Sequence, residues 1–565
     1  MAPLTFYRTL SARRRRQLAL LLALMVAGAV AEMITIGAAL PFLALIAAPE
    51  QAQRFPAVAG WVESIGGDPV LAASLLLAGA AMAGAAIRVM LTWYTHRFVT
   101  AVGHDLASGI FSRMLRQPYV AYLRRSSSEI LSGVEKVQQV VNDILLPGMQ
   151  GLSAAVIALA IMVLLCLIDP FASLLAAGIV AAVYAAVSLA NSGRLRRNSA
   201  ILSEAAIARV KVVQEGLGGI RDVVLDRSQP LFEETFRRAD ARYRRAQSLN
   251  AFIAVAPRFI VEAAGIIAIV LIAWMMSRQP GGVAAAIPVL GALALGAQRL
   301  LPLMHQTYVG FSLGIGNFRL LRDVAALVET PIMEEGADVM PLPFERSIRL
   351  RSVGFGHSDG SFALADVSLE IARGSRIGIA GPTGSGKSTL LDLLMGLVEP
   401  DSGEVLIDGK PLDGGTRGRW RAQIAHVPQA VYLADDSIGA NIAFGVAPDA
   451  VDHDRVRLAA TTAQLDGFID GLPLGYETRV GERGIRLSGG QRQRVGIARA
   501  LYKRASVLIL DEATSALDDA TETAVLGAIM ALGAEITIVI IAHRLSTLAG
   551  CDRIIRLKEG RIATP

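Results

Sequence analysis

The chain has 565 residues, of which 53% are hydrophobic, with a formal charge of +6 and a mean hydropathy of +0.47. Soluble proteins run to about 45–50% apolar, and the excess here is concentrated in residues 17–315, which excludes a purely soluble protein. The arginines sit beside these apolar runs, which points to membrane topology and away from nucleic acid, and two cysteines, Cys166 and Cys551, are too few for a disulfide framework or a cysteine metal site.

Arg13–Arg16 open an apolar stretch that continues to about Pro49. A signal peptide's apolar region is about 7–15 residues, so this stretch is expected to be a first membrane helix. A spanning helix needs about 20 mostly apolar residues. Six runs qualify, at about residues 18–48, 70–95, 144–168, 171–193, 251–277 and 283–313. Each must be helical, because lipid leaves irregular backbone unsatisfied. The third and fourth runs meet at Asp169-Pro170, a tight reversal.

Lys and Arg in the connections set the orientation. Residues 97–143 carry Arg97, Arg113, Arg116, Arg124, Arg125 and Lys136, and residues 194–249 carry twelve Lys or Arg. The alternate connections hold only Arg54 and Arg278. Both termini and both long connections are therefore expected in the cytoplasm, the long connections as helical extensions of the spans. The outer segment 50–68 places Phe55, Val58, Trp61, Val62 and Ile65 near helical spacing. It reads equally as a small surface helix or as an amphipathic loop packed on the protein.

Beyond about Leu320 the composition turns charged, and Glu329-Thr330-Pro331 through Pro341-Leu342-Pro343 reads as a linker. The expected division is a transmembrane domain over 1–320, a linker over 321–345 and an ATP-binding domain over 346–565. In the last part, β-rich runs such as Arg376–Ala380 and Val507–Leu510 alternate with helical patterns, the signature of an α/β fold.

Gly381-Pro382-Thr383-Gly384-Ser385-Gly386-Lys387-Ser388-Thr389 fits the P-loop pattern between a strand-like run and an apolar helix. Gly381, Gly384 and Gly386 let backbone N–H groups wrap phosphates at a helix N-terminus. Lys387 is expected to reach the β- and γ-phosphates of ATP, with Ser388 on Mg²⁺ and Thr389 beside it. Four apolar residues, Val507–Leu510, then deliver Asp511 and Glu512, as a buried parallel strand delivers carboxylates to a phosphate site. Asp511 is assigned to Mg²⁺ and Glu512 to the attacking water.

Leu487-Ser488-Gly489-Gly490-Gln491, with Gln429, His543 and Ser515-Ala516-Leu517-Asp518, resembles the nucleotide-binding domain of ABC transporters in order and spacing. The resemblance implies that Ser488, Gly489 and Gly490 bind the γ-phosphate of ATP held by the opposite subunit, and that Asp518 belongs to the same nucleotide site. It implies that Gln429 senses Mg²⁺ and that His543 contacts the γ-phosphate. Thr478–Gly484 is similar to the exporter segment that precedes the signature. The family usually places Tyr on the adenine, where this chain has His357; either the imidazole stacks there, or His357 is a loop residue and another side chain covers the base. A P-loop and a signature act on one ATP from different domains, so two copies are needed for two complete sites. The implied whole is an ABC exporter half-transporter, a helical membrane domain of six spans plus an α/β P-loop domain, working as a homodimer.

Pro118–Tyr122 and Glu215–Arg221 resemble the two coupling segments of ABC exporters, and they are also compatible with plain turns. Arg88, Arg258 and Arg299 lie within apolar runs, at a cost of about 2.5–3.5 kcal/mol each at a helix centre. At 1.5 Å per residue they fall roughly 23–28 Å from the outer helix ends, near one level in the inner half of the bilayer or at its cytoplasmic edge. Guanidinium forks suit phosphate, which makes the three arginines candidate contacts for an anionic lipid headgroup. They also read as structural groups, with Arg258 paired to Glu262 one turn away, Arg88 snorkelling to the interface, and Glu32 in the first span a partner for either. Residues 254–265 and Gln298–Pro302 resemble the flippase branch for lipid-linked oligosaccharides, which implies a polyprenyl-pyrophosphate glycan as cargo and a bacterial inner membrane as the site. Exporters of lipopolysaccharide precursors, drugs or peptides, and an ATP-gated channel, are the rival expectations. The partners expected are a second copy, membrane lipids and the lipid cargo, with no nucleic acid.

Overall fold

The computed structural model describes residues 10–47, 68–124, 127–168, 170–277, 282–330, 332, 340–356, 362–542 and 544–563. His357, His543 and most of the outer segment 50–68 lie outside them. The chain forms two compact units, one of Met1–Gln117 with Arg125–Ile332 and one of Pro118–Arg124 with Met333–Pro565.

The first unit is helical. Its main elements are α1 (Ala12–Ala47) and α2 (Pro69–Leu115), then, after α3 (Tyr119–Arg124), α4 (Ser127–Val140) and α5 (Leu146–Ile168). There follow α6 (Pro170–Gly218), α7 (Gln229–Val255), α8 (Pro257–Ser277) and α9 (Gly282–Gly316). Local chemistry sets the boundaries. Asp68 caps α2 by accepting from the amides of Val70 at 2.9 Å and Leu71 at 3.2 Å, with Pro69 at the first helical position, where a missing N–H costs nothing. Pro257 separates α7 from α8 because it has no N–H to continue the ladder. A π-helical turn over Val141–Leu145 joins α4 to α5 just before Pro147, another residue without an amide to donate.

Five helical runs among the described residues are long and apolar enough to cross a membrane. The sixth expected run coincides with α9, the first part of which has no described side chains. α5 and α9 approach closely through glycine. A Cβ on Gly151 would stand 3.2 Å from the Gln306 carbonyl and 3.4 Å from the Gly310 Cα. Small residues that admit a neighbouring backbone are a recurring device where lipid gives no hydrophobic drive to helix association.

The second unit contains two sheets. One is antiparallel, in the order β2-β1-β4-β5, from β1 (Ser347–Gly356), β2 (Phe362–Ala372), β4 (Ser402–Ile407) and β5 (Lys410–Pro411). The other runs β10-β9-β3-β8-β7-β6, from β3 (Arg376–Ala380), β6 (Ile424–Val427), β7 (Val507–Asp511), β8 (Thr537–Ile541), β9 (Arg553–Lys558) and β10 (Arg561–Ile562). All its neighbours are parallel except β9 with β10. Parallel strands are covered on both faces and so read as continuous apolar runs, and all five residues of β8 are buried. The segment Pro118–Arg124 folds with this unit, and Val120 packs on its core of Ile377, Ile379, Leu390 and their neighbours. Burial, reinforced by the charge of Asp392, pushes the Tyr119 phenol above its ordinary range.

Candidate ATP site and intramembrane arginine cluster

Strand register brings most of the predicted nucleotide residues to one edge. Ile379 of β3 lies level with Ile541 of β8, Ile541 with Asp511 of β7, and Leu510 with Val427 of β6. The P-loop, Asp511-Glu512 and the loop with Gln429 therefore all leave the carboxyl ends of parallel strands of one sheet, with β8 between β3 and β7, where open α/β sheets bind ligands. The loop after β3 ends in α10 (Lys387–Leu394).

Gly384 and Gly386 have φ of +79° and +98°, values only glycine adopts without strain. A Cβ on Gly386 would also run into the Ala363 carbonyl and one on Gly381 into the Leu557 carbonyl. The loop is thus a backbone cradle at a helix N-terminus. Ser385 Oγ is buried there without a hydrogen-bond partner among the described residues, and Ser388 and Thr389 occupy the first turn of α10. Lys387 is 8% exposed, and its Nζ donates to the carbonyls of Gly381 at 2.8 Å and Pro382 at 2.9 Å. The loop so holds an ammonium at its rim. A cradle of amides, a lysine, a serine hydroxyl and a carboxylate fit a magnesium nucleotide.

Glu512 sits at φ +50°, a left-handed conformation that costs a non-glycine residue about 1–2 kcal/mol. It accepts a 2.7 Å bond from Gln429 Nε2. Burial, then the charge of Glu512, push the Asp511 carboxyl up, while Lys387 pulls it down. Asp392 was not among the candidates, although it lies one turn after Ser388 on α10 and so shares its face. Burial, then Asp511, push its carboxyl up to about 6.

The signature lies elsewhere. Ser488 caps α11 (Gly489–Tyr502) in a reciprocal box with Gln491, its Oγ accepting from the Gln491 amide at 3.2 Å and its own amide donating to Gln491 Oε1 at 2.8 Å. Its glycines face the segment after Glu512, since a Cβ on Gly489 would stand 3.4 Å from Ala516 Cβ and one on Gly490 3.1 Å from the Ala516 carbonyl. Gln493 fastens that segment by donating to Ser515 Oγ at 3.1 Å and accepting from the Ala516 amide at 2.9 Å. Asp518 caps α12 (Asp519–Met530) through Thr521, whose amide at 3.0 Å and hydroxyl at 2.7 Å hold its carboxylate below the ordinary range.

In the helical unit each of the three arginines meets a carboxylate. Arg258 Nε donates to Glu262 Oε1 at 2.6 Å, one turn along α8. Arg88 of α2 bonds Glu32 of α1, and Arg299 of α9 lies 3.8 Å from the same oxygen. The side chains of Arg88, Arg258 and Arg299 remain 38%, 54% and 45% exposed, whereas that of Glu32 is 6% exposed.

Residues 364–515 match the family model "ABC transporter", and residues 19–279 match "ABC transporter transmembrane region". An ATP-dependent lipid A-core flippase of Cupriavidus metallidurans is 34% identical over 469 residues, 80% of this chain and 77% of that one. The chain belongs to the ABC exporter family. It is a half-transporter, an ATPase coupled to transport across a membrane that it spans several times. An ATP-dependent lipid A-core flippase of Ralstonia nicotianae is 33% identical over 508 residues, 86% of this chain and 83% of that one. An ATM1-type heavy metal exporter of Novosphingobium aromaticivorans is 43% identical over 247 residues, 43% of this chain and 40% of that one. A solved structure of a bacterial Atm1-family ABC exporter with ATP bound superposes with a TM-score of 0.79 at 26% identity, over 97% of this chain and 94% of that one.

Proposed function

We propose that this ABC exporter is an outward flippase for a lipid whose headgroup carries phosphate, and that it works as a homodimer in a bacterial inner membrane with both termini cytoplasmic. The observation that carries the cargo reading is the convergence of Arg88 and Arg299, from two different membrane helices, on one buried carboxylate. Two guanidinium forks against one carboxylate leave a net charge of +1, and both arginine side chains remain partly exposed. Phosphate oxygens complement that arrangement. Arg258 is neutralised by Glu262 one turn away, so its part in cargo contact rests on the exposed half of its side chain.

The specific cargo we assign is a polyprenyl-pyrophosphate-linked oligosaccharide, on the arginines and on the resemblance of residues 254–265 and 298–302 to that flippase branch. Lipid A-core is the second reading, favoured by the names of relatives that match most of the chain. Both are phosphorylated lipids.

At the ATP site, bound Mg–ATP would supply a γ-phosphate for transfer to water. Lys387 and the amides around Gly381, Gly384 and Gly386 would hold its phosphates, and Ser388, Gln429 and Asp511 its metal. Thr389 lies beside them, and His357 would lie against the base. Glu512, kept in place by the Gln429 bond, would orient and polarise the attacking water, with His543 contacting the γ-phosphate. Ser488, Gly489, Gly490 and Asp518 would complete the site of the opposite copy. The packing of Gly489 and Gly490 on Ala516 and Leu517, with no P-loop residue among their near neighbours, supports a site shared between two chains. The Pro118–Tyr122 segment, folded with the ATP-binding unit, and Glu215–Arg221 would transmit its closure to the membrane helices.

The test is ATP-dependent translocation in proteoliposomes of a polyprenyl-pyrophosphate glycolipid and, in parallel, of lipid A-core, with Glu512→Gln as control. Translocation of the first but not the second is expected, with loss of about 10²–10⁴-fold in the control. Arg299→Ala and Arg258→Ala should slow translocation and spare basal ATP hydrolysis. Movement of lipid A-core alone would transfer the assignment to the second reading; movement of neither would refute both.

A further inference from the structure

The arginine cluster contains a group with no part in holding either nucleotide or cargo. Glu32 is 4% exposed, and its Oε1 takes both Arg88 and Arg299. Its second oxygen, Oε2, is buried with no hydrogen-bond partner among the described residues. A carboxylate with an unsatisfied buried oxygen is costly to keep. Its placement on a third helix, between two arginines whose side chains are 38% and 45% exposed, does what neither arginine can do alone: it draws charges from α2 and α9 to one point despite their mutual repulsion.

We infer that Glu32 is the positioning residue of the anion site, and that it sets how tightly the site grips its cargo. This rests on the reading that Arg88 and Arg299 contact a phosphate headgroup. With Glu32 ionised the cluster carries +1, enough to attract an anionic lipid and low enough to release it. Without that charge the cluster carries +2, and at the effective dielectric of a partly exposed protein site one additional unit charge a few ångströms away is worth about a factor of ten or more in affinity. Glu32 thus trades binding strength for turnover. A site that holds cargo too firmly in its loading state slows the step that delivers it.

Glu32→Gln isolates the charge, because its carboxamide oxygen still accepts from Arg88. Half-saturating lipid concentration and maximal rate would be measured for the full-length protein in proteoliposomes, with a polyprenyl pyrophosphate and with lipid A as probes. For the probe that saturates the unsubstituted protein, Glu32→Gln is expected to lower the half-saturating concentration about tenfold or more and to lower the maximal rate. Glu32→Asp should restore both toward their original values. A purely structural role would lower the rate or the yield of folded protein without tightening binding. Arg88→Ala and Arg299→Ala should each raise the half-saturating concentration. Weakening in the arginine variants with unchanged or weaker binding in Glu32→Gln would overturn the inference and leave the arginine reading standing. No change in the arginine variants, or no saturation by either lipid, would overturn both.

Discussion

Gln493 offers a perturbation whose size follows from two bonds. It is 4% exposed on α11 and ties the helix that begins at the signature to the segment immediately after Glu512. Gln493→Ala removes the bond to Ser515 Oγ and the acceptor of the Ala516 amide. At about 1 kcal/mol for each bond, local opening of residues 515–517 becomes easier by about 2 kcal/mol, or roughly 30-fold in population. Hydrogen exchange followed by mass spectrometry on the peptide that covers 513–518 reads this directly, since exchange under native conditions follows the open population. Exchange there should quicken by about that factor while peptides from β1 and β2 are unaffected. Gln493→Glu is the matched control, because its carboxylate accepts from both the Ala516 amide and the Ser515 hydroxyl. Unchanged exchange in Gln493→Ala would refute the view that this side chain holds the signature helix and the Glu512 segment together.

Trp420 has no exposed surface, donates from Nε1 to the Leu394 carbonyl at 2.8 Å and meets Phe344 edge-on at 5.4 Å. Trp420→Ala should cost the ATP-binding unit about 3–5 kcal/mol, seen as an earlier thermal transition of that unit by calorimetry. Asp392 holds its proton up to about pH 6 when folded, whereas an unfolded Asp releases it near pH 4. The folded state therefore binds more protons in that window, and stability conferred at low pH is lost as pH rises through about 6. Asp392→Asn should flatten this part of the pH–stability curve for the nucleotide-free protein, and an unaltered curve would show that another group is responsible.

The P-loop was legible because its requirement is local. A chain that must turn through positive φ and bring amides to a phosphate needs glycine at fixed offsets, and Gly384 and Gly386 stand where the backbone demands them. The strand before Asp511 was legible for a similar reason, since burial on both faces leaves a continuous apolar run. The Arg258–Glu262 pair could be read from its four-residue spacing. The sharing of Glu32 by Arg88 and Arg299 could not, since sequence shows only that Glu32 has arginines to choose from and the meeting of three helices gives it to these two. Asp392 escaped notice because its behaviour comes from burial and from Asp511, far away in sequence. The π-helical turn over Val141–Leu145 could not be read either, because Pro147 marks one missing amide but does not say which carbonyls the neighbouring amides select.

The docking of Val120 in the soluble unit has a consequence for how the protein is made. A catalytic domain that takes in a peptide from between two membrane helices draws on two separated stretches of the gene. During synthesis the borrowed peptide leaves the ribosome early and waits, tethered at the bilayer, while the remaining hydrophobic segments are inserted. Only then does its apolar partner surface emerge. Insertion thus comes before completion of the ATPase, and a chain that fails to thread the membrane correctly would deliver an engine with one of its own parts missing.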